Sequence, residues 1–216
     1  MRIPEKTVEL NFCAQFARRF AGRIVWFGLT QRQEAQAGFD ACTRLGGLLL
    51  LIQFKASSHD VHRAFPPPHH AAARRFHAPH QQLVALQARA APGRRVVYAF
   101  PLIGTTLELR RQQDFMSTTW LLDVAAIPSL AAPTTRAGVA RKSQIHYVDV
   151  MPGHAVIHSD PVSVSLISSS VLAETLLVEM RQTSAPTGAT NFDQFWPRRR
   201  RLFPRHAVGA IILPPA

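Results

Sequence analysis

Asp40, Gln53 and Lys55 are three polar residues whose types and spacing suit metal-dependent hydrolysis. Between Asp40 and Gln53 lies the pair Gly46-Gly47, and two glycines supply the positive φ values of a two-residue hairpin turn. Pairing the flanking strands through this turn places Asp40 directly opposite Gln53. Because side chains alternate along a strand, Lys55 points to the same face as Gln53. The pattern therefore predicts that a carboxylate, an amide and an ammonium converge at one end of a hairpin.

This set of groups is typical of a magnesium site. Mg²⁺ prefers hard oxygen ligands and keeps several waters, so one or two carboxylates, a carbonyl oxygen and a substrate phosphate suffice. Asp40 and Gln53 are the predicted ligands, and the Lys55 ammonium would position the attacking water and offset transition-state charge. A further acid would strengthen ion binding. Both Glu9, on the first predicted helix, and Glu34, ahead of Asp40, are candidates, and the sequence does not choose between them.

The elements that would position these residues follow the order αβββαβ. An apolar residue at every fourth position predicts an amphipathic helix over 7–20. The residues that form this pattern are Val8, Phe12, Phe16 and Phe20. The other predictions are a strand at 23–27, a β-hairpin across 31–57, a loop at 57–80, a helix at 78–90 and a strand at 95–101.

The second part of the chain is predicted to be an extension of this core. A linker follows Pro128, and strands are predicted near 145–150 and 162–167, with a helix near 170–181. We therefore expect an α/β core over 1–127. A β-rich extension packed on that core, with a basic tail, is expected over 128–216.

The polar residues form a pattern that resembles a known active-site signature. It consists of Glu9 or Glu34, then Gly38-Phe39-Asp40, then Ile52-Gln53-Phe54-Lys55. This pattern resembles the signature of the PD-(D/E)XK nuclease superfamily. More narrowly, it is similar to the Mrr-like restriction endonuclease branch, in which Gln can occupy the position usually held by Glu. The resemblance covers roughly residues 5 to 102.

The resemblance implies a restriction-endonuclease-like fold and a role for each site residue. The implied core is αβββαβ, with a mixed central sheet flanked by helices, and the implied reaction is Mg²⁺-dependent phosphodiester cleavage. Asp40 would be the principal metal ligand, Gln53 the weaker second ligand and Lys55 the catalytic ammonium. Glu9 or Glu34 would be the outer acid, and Glu34 would then join the metal ligands.

The chain is strongly basic, with 25 Lys and Arg residues against 13 Asp and Glu residues and a formal net charge of +12. Such a charge favours polyanionic partners, because Arg binds phosphate through two hydrogen bonds and phosphate neutralisation releases counterions. Nucleic acid is the expected partner, with DNA favoured, and an acidic protein is the alternative. An arginine run flanked by aromatic residues would follow a phosphate backbone while the rings stack on bases. This tail contains Trp196, Arg198, Arg199, Arg200, Arg201 and Phe203.

The histidines and cysteines are assigned no chemistry. His59, His62, His77 and His80 have spacings seen in zinc sites, but they lie in a proline-rich segment without a cysteine or carboxylate cluster to complete a tetrahedral set. Cys13 and Cys42 lack a motif for a catalytic thiol, so core packing is expected for both.

The sequence predicts a Mg-dependent nuclease that hydrolyses phosphodiester bonds of DNA in restriction or foreign-DNA defence. It would act as a homodimer or as a subunit of a larger defence complex. The alternative is a non-catalytic nucleic-acid-binding or partner-binding subunit with a degenerate site, because Gln53 replaces an acid and lowers metal affinity. The polar first residues and the short aliphatic run Leu48–Ile52 predict a cytoplasmic protein without a membrane span.

Overall fold

The structure, a computed structural model, describes residues 2–45, 47–57, 73–112, 114–133, 144–159 and 162–182. Met1–Thr183 forms one compact unit, so the residues on both sides of position 127 belong to it. Its helices are α1 (Glu5–Arg19), α2 (Gln31–Ala37), α3 (His80–Gln87), α4 (Thr106–Arg111) and α5 (Ser169–Gln182). Its strands are β1 (Phe27–Gly28), β2 (Ala41–Leu45), β3 (Leu48–Phe54), β4 (Arg74–Pro79), β5 (Arg94–Pro101), β6 (Thr119–Asp123), β7 (Ile145–Met151), β8 (His154–Ile157), β9 (Val162–Ser165) and β10 (Ile167–Ser168).

A six-stranded sheet with the order β1-β2-β3-β5-β6-β10 forms the centre of the unit. Strands β3 and β5 are parallel, and the other neighbouring pairs are antiparallel. The connection between β3 and β5 contains α3, as the crossover between parallel neighbours requires. The structure therefore confirms a mixed α/β fold with a mixed central sheet and flanking helices.

One face of the central sheet is covered by α1 and α5. Phe12 and Phe16 are fully buried on α1, and the Phe12 ring centre lies 5.3 Å from that of Phe54 on β3. Leu172 and Leu176 of α5 belong to the same apolar core. Burying an apolar side chain of this size stabilises the fold by about 1.5–3 kcal/mol. The helix predicted from the four-residue apolar repeat is confirmed, with its first residue at Glu5.

The opposite face of β3 carries the polar residues of interest. Leu50, Ile52 and Phe54 point into the core with α1. Because side chains alternate, Gln53 and Lys55 point the other way. Helix α3 lies on that second face, where its residue Gln82 contacts Gln53.

A second sheet has the order β4-β7-β8-β9, with all neighbours antiparallel. It packs on the first sheet through Phe76 of β4, whose ring centre lies 4.8 Å from that of Phe100 on β5. Arg75 and Asp149 cross-link β4 and β7 through two hydrogen bonds of 2.6 and 2.7 Å and are both buried. Strand β10 returns to the central sheet and pairs with β6.

Two predicted β-segments near the site are wrong in part. Residues 31–37, predicted as part of the hairpin, form α2. The Thr30 hydroxyl accepts from the Gln33 backbone, and the Gln33 side chain accepts from the Thr30 backbone, which is a capping box that starts a helix. Of the strand predicted at 23–27, only Phe27 is in a strand.

The loop predicted at 57–80 is also wrong in part. Residues 58–72 lie outside the described part of the chain, but Arg74–Pro79 forms β4. This strand exists because it pairs with β7, some seventy positions further along the chain, through the register Phe76↔Val148. Along the described ranges, no helix is long and apolar enough to cross a membrane.

Candidate functional site

The hairpin of β2 and β3 has the register expected from its turn. Leu45 faces Leu48 and Ala41 faces Ile52, so the next pair outward is Asp40 and Gln53. Gln53 Nε2 lies 2.7 Å from Asp40 Oδ2 and donates a hydrogen bond to it. The predicted opposition of these two residues is therefore confirmed.

The end of α2 positions Asp40. Gly38 ends the helix in the left-handed conformation with a φ of 79°, which glycine adopts without strain. A Cβ atom at this glycine would lie 3.4 Å from Ala85 Cβ on α3, at the short end of ordinary contact distance, so the positive φ is the main reason for glycine here. Arg89 donates hydrogen bonds to the carbonyl oxygens of Gln36 and Ala37, which neutralises the negative end of α2.

Asp40 lies at the centre of the site and is only 9% exposed. Burial raises the pKa of its carboxyl group from 3.8 to about 7. The Phe54 backbone amide, which donates to Asp40 Oδ2 across 2.6 Å, and the Lys55 ammonium both oppose this rise in pKa. The neighbouring charges of Glu5 and Glu34 add to it. Such a carboxyl group is near half-ionisation at neutral pH, and a bound cation would favour its charged form.

Gln53 links Asp40 to helix α3. Its Nε2 donates to Asp40 Oδ2 and, across 3.0 Å, to the carbonyl oxygen of Phe54. Its Oε1 accepts a hydrogen bond of 2.8 Å from Gln82 Nε2. Gln82 Oε1 is buried and has no hydrogen-bond partner among the described residues.

Lys55 continues the parallel pairing beyond the end of β3, because its backbone amide donates to the Ala99 carbonyl oxygen. The side chain is buried, and Nζ lies 6.0 Å from the centre of the Tyr98 ring. Burial lowers the pKa of Lys55, while the charges of Glu5 and Asp40 oppose this effect. An ammonium with a lowered pKa releases its proton more easily, which suits a group that acts on water or phosphate.

Like Gln82 Oε1, the Tyr98 hydroxyl group is a buried polar atom without a hydrogen-bond partner among the described residues. Tyr98 pairs with Gln53 in the β3–β5 register and is 1% exposed. Burial raises the pKa of Tyr98, and the charge of Asp40 contributes to the rise. The hydroxyl is therefore neutral at physiological pH and close enough to Asp40 to be influenced by it.

The two acids predicted to assist Asp40 lie on α1 and α2, and of these two only the charge of Glu34 acts on the pKa of Asp40. Glu9 is buried on α1 and forms an ion pair with Lys6 across 2.8 Å. Glu34 is half-exposed on α2, and partial burial raises its pKa while Lys6 lowers it. Sequence reasoning missed Glu5, the first residue of α1, whose charge acts on both Asp40 and Lys55.

In the part of the chain that the structure describes, no group of three His, Cys, Asp or Glu side chains could hold one ion, and Asp40 is joined by no second acid. The oxygens close to one another at the end of the hairpin come from a carboxyl group and from a main-chain carbonyl group. Asp40 Oδ2 and the Phe54 carbonyl oxygen both accept from the same Gln53 amino group and so face one point. A carboxylate, a main-chain carbonyl and an amide oxygen, completed by water, fit the ligand preference of Mg²⁺.

A cavity of about 360 Å³ lies next to the end of β3. It is lined by Arg2, Ile3, Pro4, Glu5, Ala56 and His77. Ala56 directly follows Lys55, and its backbone amide donates to Glu5 Oε1 across 3.3 Å. The cavity therefore lies beside the residue that follows Lys55 in the chain, and Asp40, Gln53 and Lys55 are not among its lining residues.

The remaining predicted residues are placed as follows. Trp196 and the arginines 198–201 lie outside the described residues. His80 Nδ1 lies 3.0 Å from His146 Nε2, so this histidine contacts a partner on β7. Cys42 is buried and Cys13 is half-buried, and burial raises the pKa of each thiol to about 12, which agrees with the core role expected for them.

Comparisons with protein-family models, curated proteins and solved structures find no match to this chain. The functional argument therefore rests on the chemistry of the hairpin end. That chemistry is a carboxyl group with a raised pKa, an amide that donates to it and a buried ammonium group with a lowered pKa.

Proposed function

We propose that this protein is a Mg²⁺-dependent nuclease with a PD-(D/E)XK-like core that hydrolyses phosphodiester bonds of DNA. The observation that carries the proposal is the hydrogen bond between Asp40 and Gln53 at the end of the β2–β3 hairpin. Lys55 follows β3 directly, is buried and has a pKa on which the charge of Asp40 acts. A magnesium ion bound there would act as a Lewis acid on the scissile phosphate. The strand order supports the proposal, since the central sheet contains an antiparallel hairpin followed by a parallel strand across a helix.

Each site residue has a role that follows from its surroundings. Asp40 and the Gln53 amide would hold the ion together with the Phe54 carbonyl oxygen. Lys55 would donate a hydrogen bond to the phosphate and offset the charge that builds on it during attack by water. Because burial lowers the pKa of Lys55, this ammonium group also yields a proton more readily than one in water. Glu34 or Glu9 would orient water in the outer shell.

The charge of the chain supports a nucleic-acid substrate. The excess of 12 positive charges attracts a phosphate backbone, and the arginine tail with Trp196 is proposed to contact DNA. We propose restriction or foreign-DNA defence as the setting, with the protein acting as a homodimer or within a larger defence complex.

The test is cleavage of supercoiled and linear plasmid DNA by the full chain, with Mg²⁺ and with a chelator. We expect Asp40→Asn and Lys55→Met to lower the cleavage rate at least about 100-fold. Asp114→Asn is the matched control, because this exposed acid pairs with Arg19 at the far end of α1 and should leave the rate unchanged.

Folding separates a chemical loss from a structural one. Lys55→Met removes a buried ammonium group and nearly keeps the side-chain length. Because Asp40 has a raised pKa and can take up a proton when the ammonium is absent, the free energy of unfolding should stay close to that of the wild type. Chemical denaturation measures this quantity. Loss of cleavage accompanied by a lower free energy of unfolding would instead assign Lys55 a structural role.

A second function is favoured by one feature of the site. The Gln53 amino group donates hydrogen bonds to both Asp40 Oδ2 and the Phe54 carbonyl oxygen. Both oxygens therefore have a hydrogen-bond partner without a metal. The alternative is therefore a non-catalytic nucleic-acid-binding or partner-binding subunit with a degenerate site. DNA binding that is insensitive to chelator and to Asp40→Asn, without cleavage by the wild type, would support this alternative and overturn the nuclease proposal.

A further inference from the structure

Gln82 lies next to the site but has no role in the proposed reaction. Its side-chain amide is hydrogen-bonded to that of Gln53. Gln82 Nε2 donates to Gln53 Oε1 across 2.8 Å, and Gln53 Nε2 in turn donates to Asp40 Oδ2 across 2.7 Å. These contacts form a chain from α3 through β3 to the carboxyl group. The orientation of one amide in such a chain dictates the orientation of the next, because each contact must join a donor to an acceptor.

The chain has a second arrangement of the same shape. The oxygen and nitrogen of a terminal amide exchange places when the group rotates by half a turn, and little repacking is needed. If both amides rotate, Gln53 Nε2 donates to Gln82 Oε1, the atom that has no partner among the described residues in the first arrangement. Gln53 Oε1 then faces Asp40 and the Phe54 carbonyl oxygen.

Where the Asp40 carboxyl group is ionised, the second arrangement needs a positive ion beside it. Two oxygens 2.7 Å apart repel each other unless a positive ion lies between them, and Gln53 Nε2 and Asp40 Oδ2 have this separation. Neighbouring oxygens in an octahedral Mg²⁺ shell lie about 2.9 Å apart, because each lies about 2.05 Å from the ion. The spacing therefore fits two adjacent ligands of one magnesium ion.

We propose that Gln82 is a positioning residue that selects, through its own amide orientation, whether Gln53 presents its amino group or its oxygen to the metal position. In the metal-free arrangement Gln82 acts as donor, and in the ion-binding arrangement it acts as acceptor. This inference rests on the proposed function, since it deepens the account of the same site. It predicts that acceptor-only and donor-only side chains at position 82 change ion affinity in opposite directions.

The test measures Mg²⁺ binding to the full chain by calorimetry, with the metal alone and without DNA. Gln82→Glu can only accept, so it disfavours the metal-free arrangement and should tighten Mg²⁺ binding about tenfold, the effect of one lost hydrogen bond to a charged group. Gln82→Lys can only donate and should weaken binding about tenfold. Gln82→Leu removes the partner of both arrangements and should change affinity by less than about threefold.

Charge is controlled by the neighbouring exposed residue Gln81. Gln81→Glu and Gln81→Lys introduce the same charges on the same helix without reaching Gln53. Measurements at low and high salt separate the two effects, because salt screens a surface charge much more than a buried hydrogen bond. We expect the variants of position 81 to change affinity by less than about threefold at high salt, while the tenfold effects at position 82 persist.

Thermal unfolding gives a readout that is independent of affinity and of cleavage. Gln82→Glu places two oxygens against each other in the metal-free protein, so its melting temperature should fall without Mg²⁺ and recover when Mg²⁺ is added. Gln82→Leu should lower the melting temperature under both conditions.

The outcomes separate this inference from the proposed function. If Asp40→Asn abolishes Mg²⁺ binding but the variants of position 82 behave like those of position 81, the positioning role is wrong and the metal site stands. If the wild type binds no Mg²⁺, or if Asp40→Asn leaves its affinity unchanged, the metal site is wrong and the positioning role fails with it. Opposite shifts for Gln82→Glu and Gln82→Lys at high salt support both.

Discussion

Gln53 donates a hydrogen bond of 2.7 Å to Asp40 across the hairpin of β2 and β3, so an amide from one strand and a carboxyl group from the other share one position. The same carboxyl oxygen accepts from the Phe54 backbone amide. Two donors on one oxygen would normally keep a carboxyl group ionised, yet burial outweighs them and raises the pKa of Asp40 to about 7. A cation bound beside Asp40 would favour the ionised form of this carboxyl group and so lower its pKa.

Asp40 should make stability depend on pH. Its pKa is about 7 in the folded protein against 3.8 in the absence of burial, so between these values the folded state holds a proton that the unfolded state lacks. The free energy of unfolding therefore falls as pH rises through this window, by up to about 1.4 kcal/mol per pH unit. Asp40→Asn should remove this contribution and be more stable relative to the wild type at pH 8 than at pH 4.

Urea unfolding of both proteins at several pH values checks this prediction, and the difference between them isolates Asp40 from other titrating groups. Asp114→Asn, at an exposed position, should follow the wild type across the window. Parallel curves for the wild type and Asp40→Asn would contradict a raised pKa. Under the proposed function, added Mg²⁺ should restore the stability of the wild type at pH 8 and have little effect on Asp40→Asn.

Gly38→Ala should destabilise the protein for two reasons. Its φ of 79° is strained for alanine, and the new methyl group would lie 3.4 Å from Ala85 Cβ. Gly22→Ala is the matched control, because Gly22 also ends a helical segment with positive φ, at 73°, but has no described atom within 4 Å of an added Cβ.

We expect a loss of roughly 1–2 kcal/mol at Gly22 from backbone strain. A somewhat larger loss is expected at Gly38, because the added methyl group lies at the short end of ordinary contact distance from Ala85. Chemical denaturation measures both losses, and equal values would show that the contact between α2 and α3 is not tight. Because Asp40 follows α2 directly, Gly38→Ala should also weaken Mg²⁺ binding, whereas Gly22→Ala should not.

The arginine tail should set the salt dependence of DNA binding. Replacing the arginines at 198–201 with serine should lower affinity and reduce the slope of log affinity against log salt by about 0.9 for each arginine that contacts a phosphate. Fluorescence anisotropy with labelled duplex DNA at several salt concentrations measures this slope. An unchanged slope would remove the tail from the binding surface, while Asp40→Asn serves as a control that should leave the slope close to that of the wild type.

The sequence by itself determined the hairpin and the helix that supports it. The Gly46-Gly47 pair predicted a turn between Leu45 and Leu48, and the register then placed Asp40 opposite Gln53, because both rules act over a few residues. The positive φ expected at both glycines is not found at Gly47, and Gly46 lies outside the described residues. The apolar repeat of α1 was equally local. The Thr30–Gln33 capping box was also within reach of local rules, and the expectation of a long hairpin concealed it.

Only the tertiary structure decided which groups from distant parts of the chain meet at the hairpin. Strand β4 forms by pairing with β7, and Gln82 reaches Gln53 because α3 crosses over the sheet between β3 and β5. Neither contact has a local signal. The pKa of Asp40 depends likewise on burial and on charges from α1 and α2, since desolvation is a property of the whole packed environment and of no short segment.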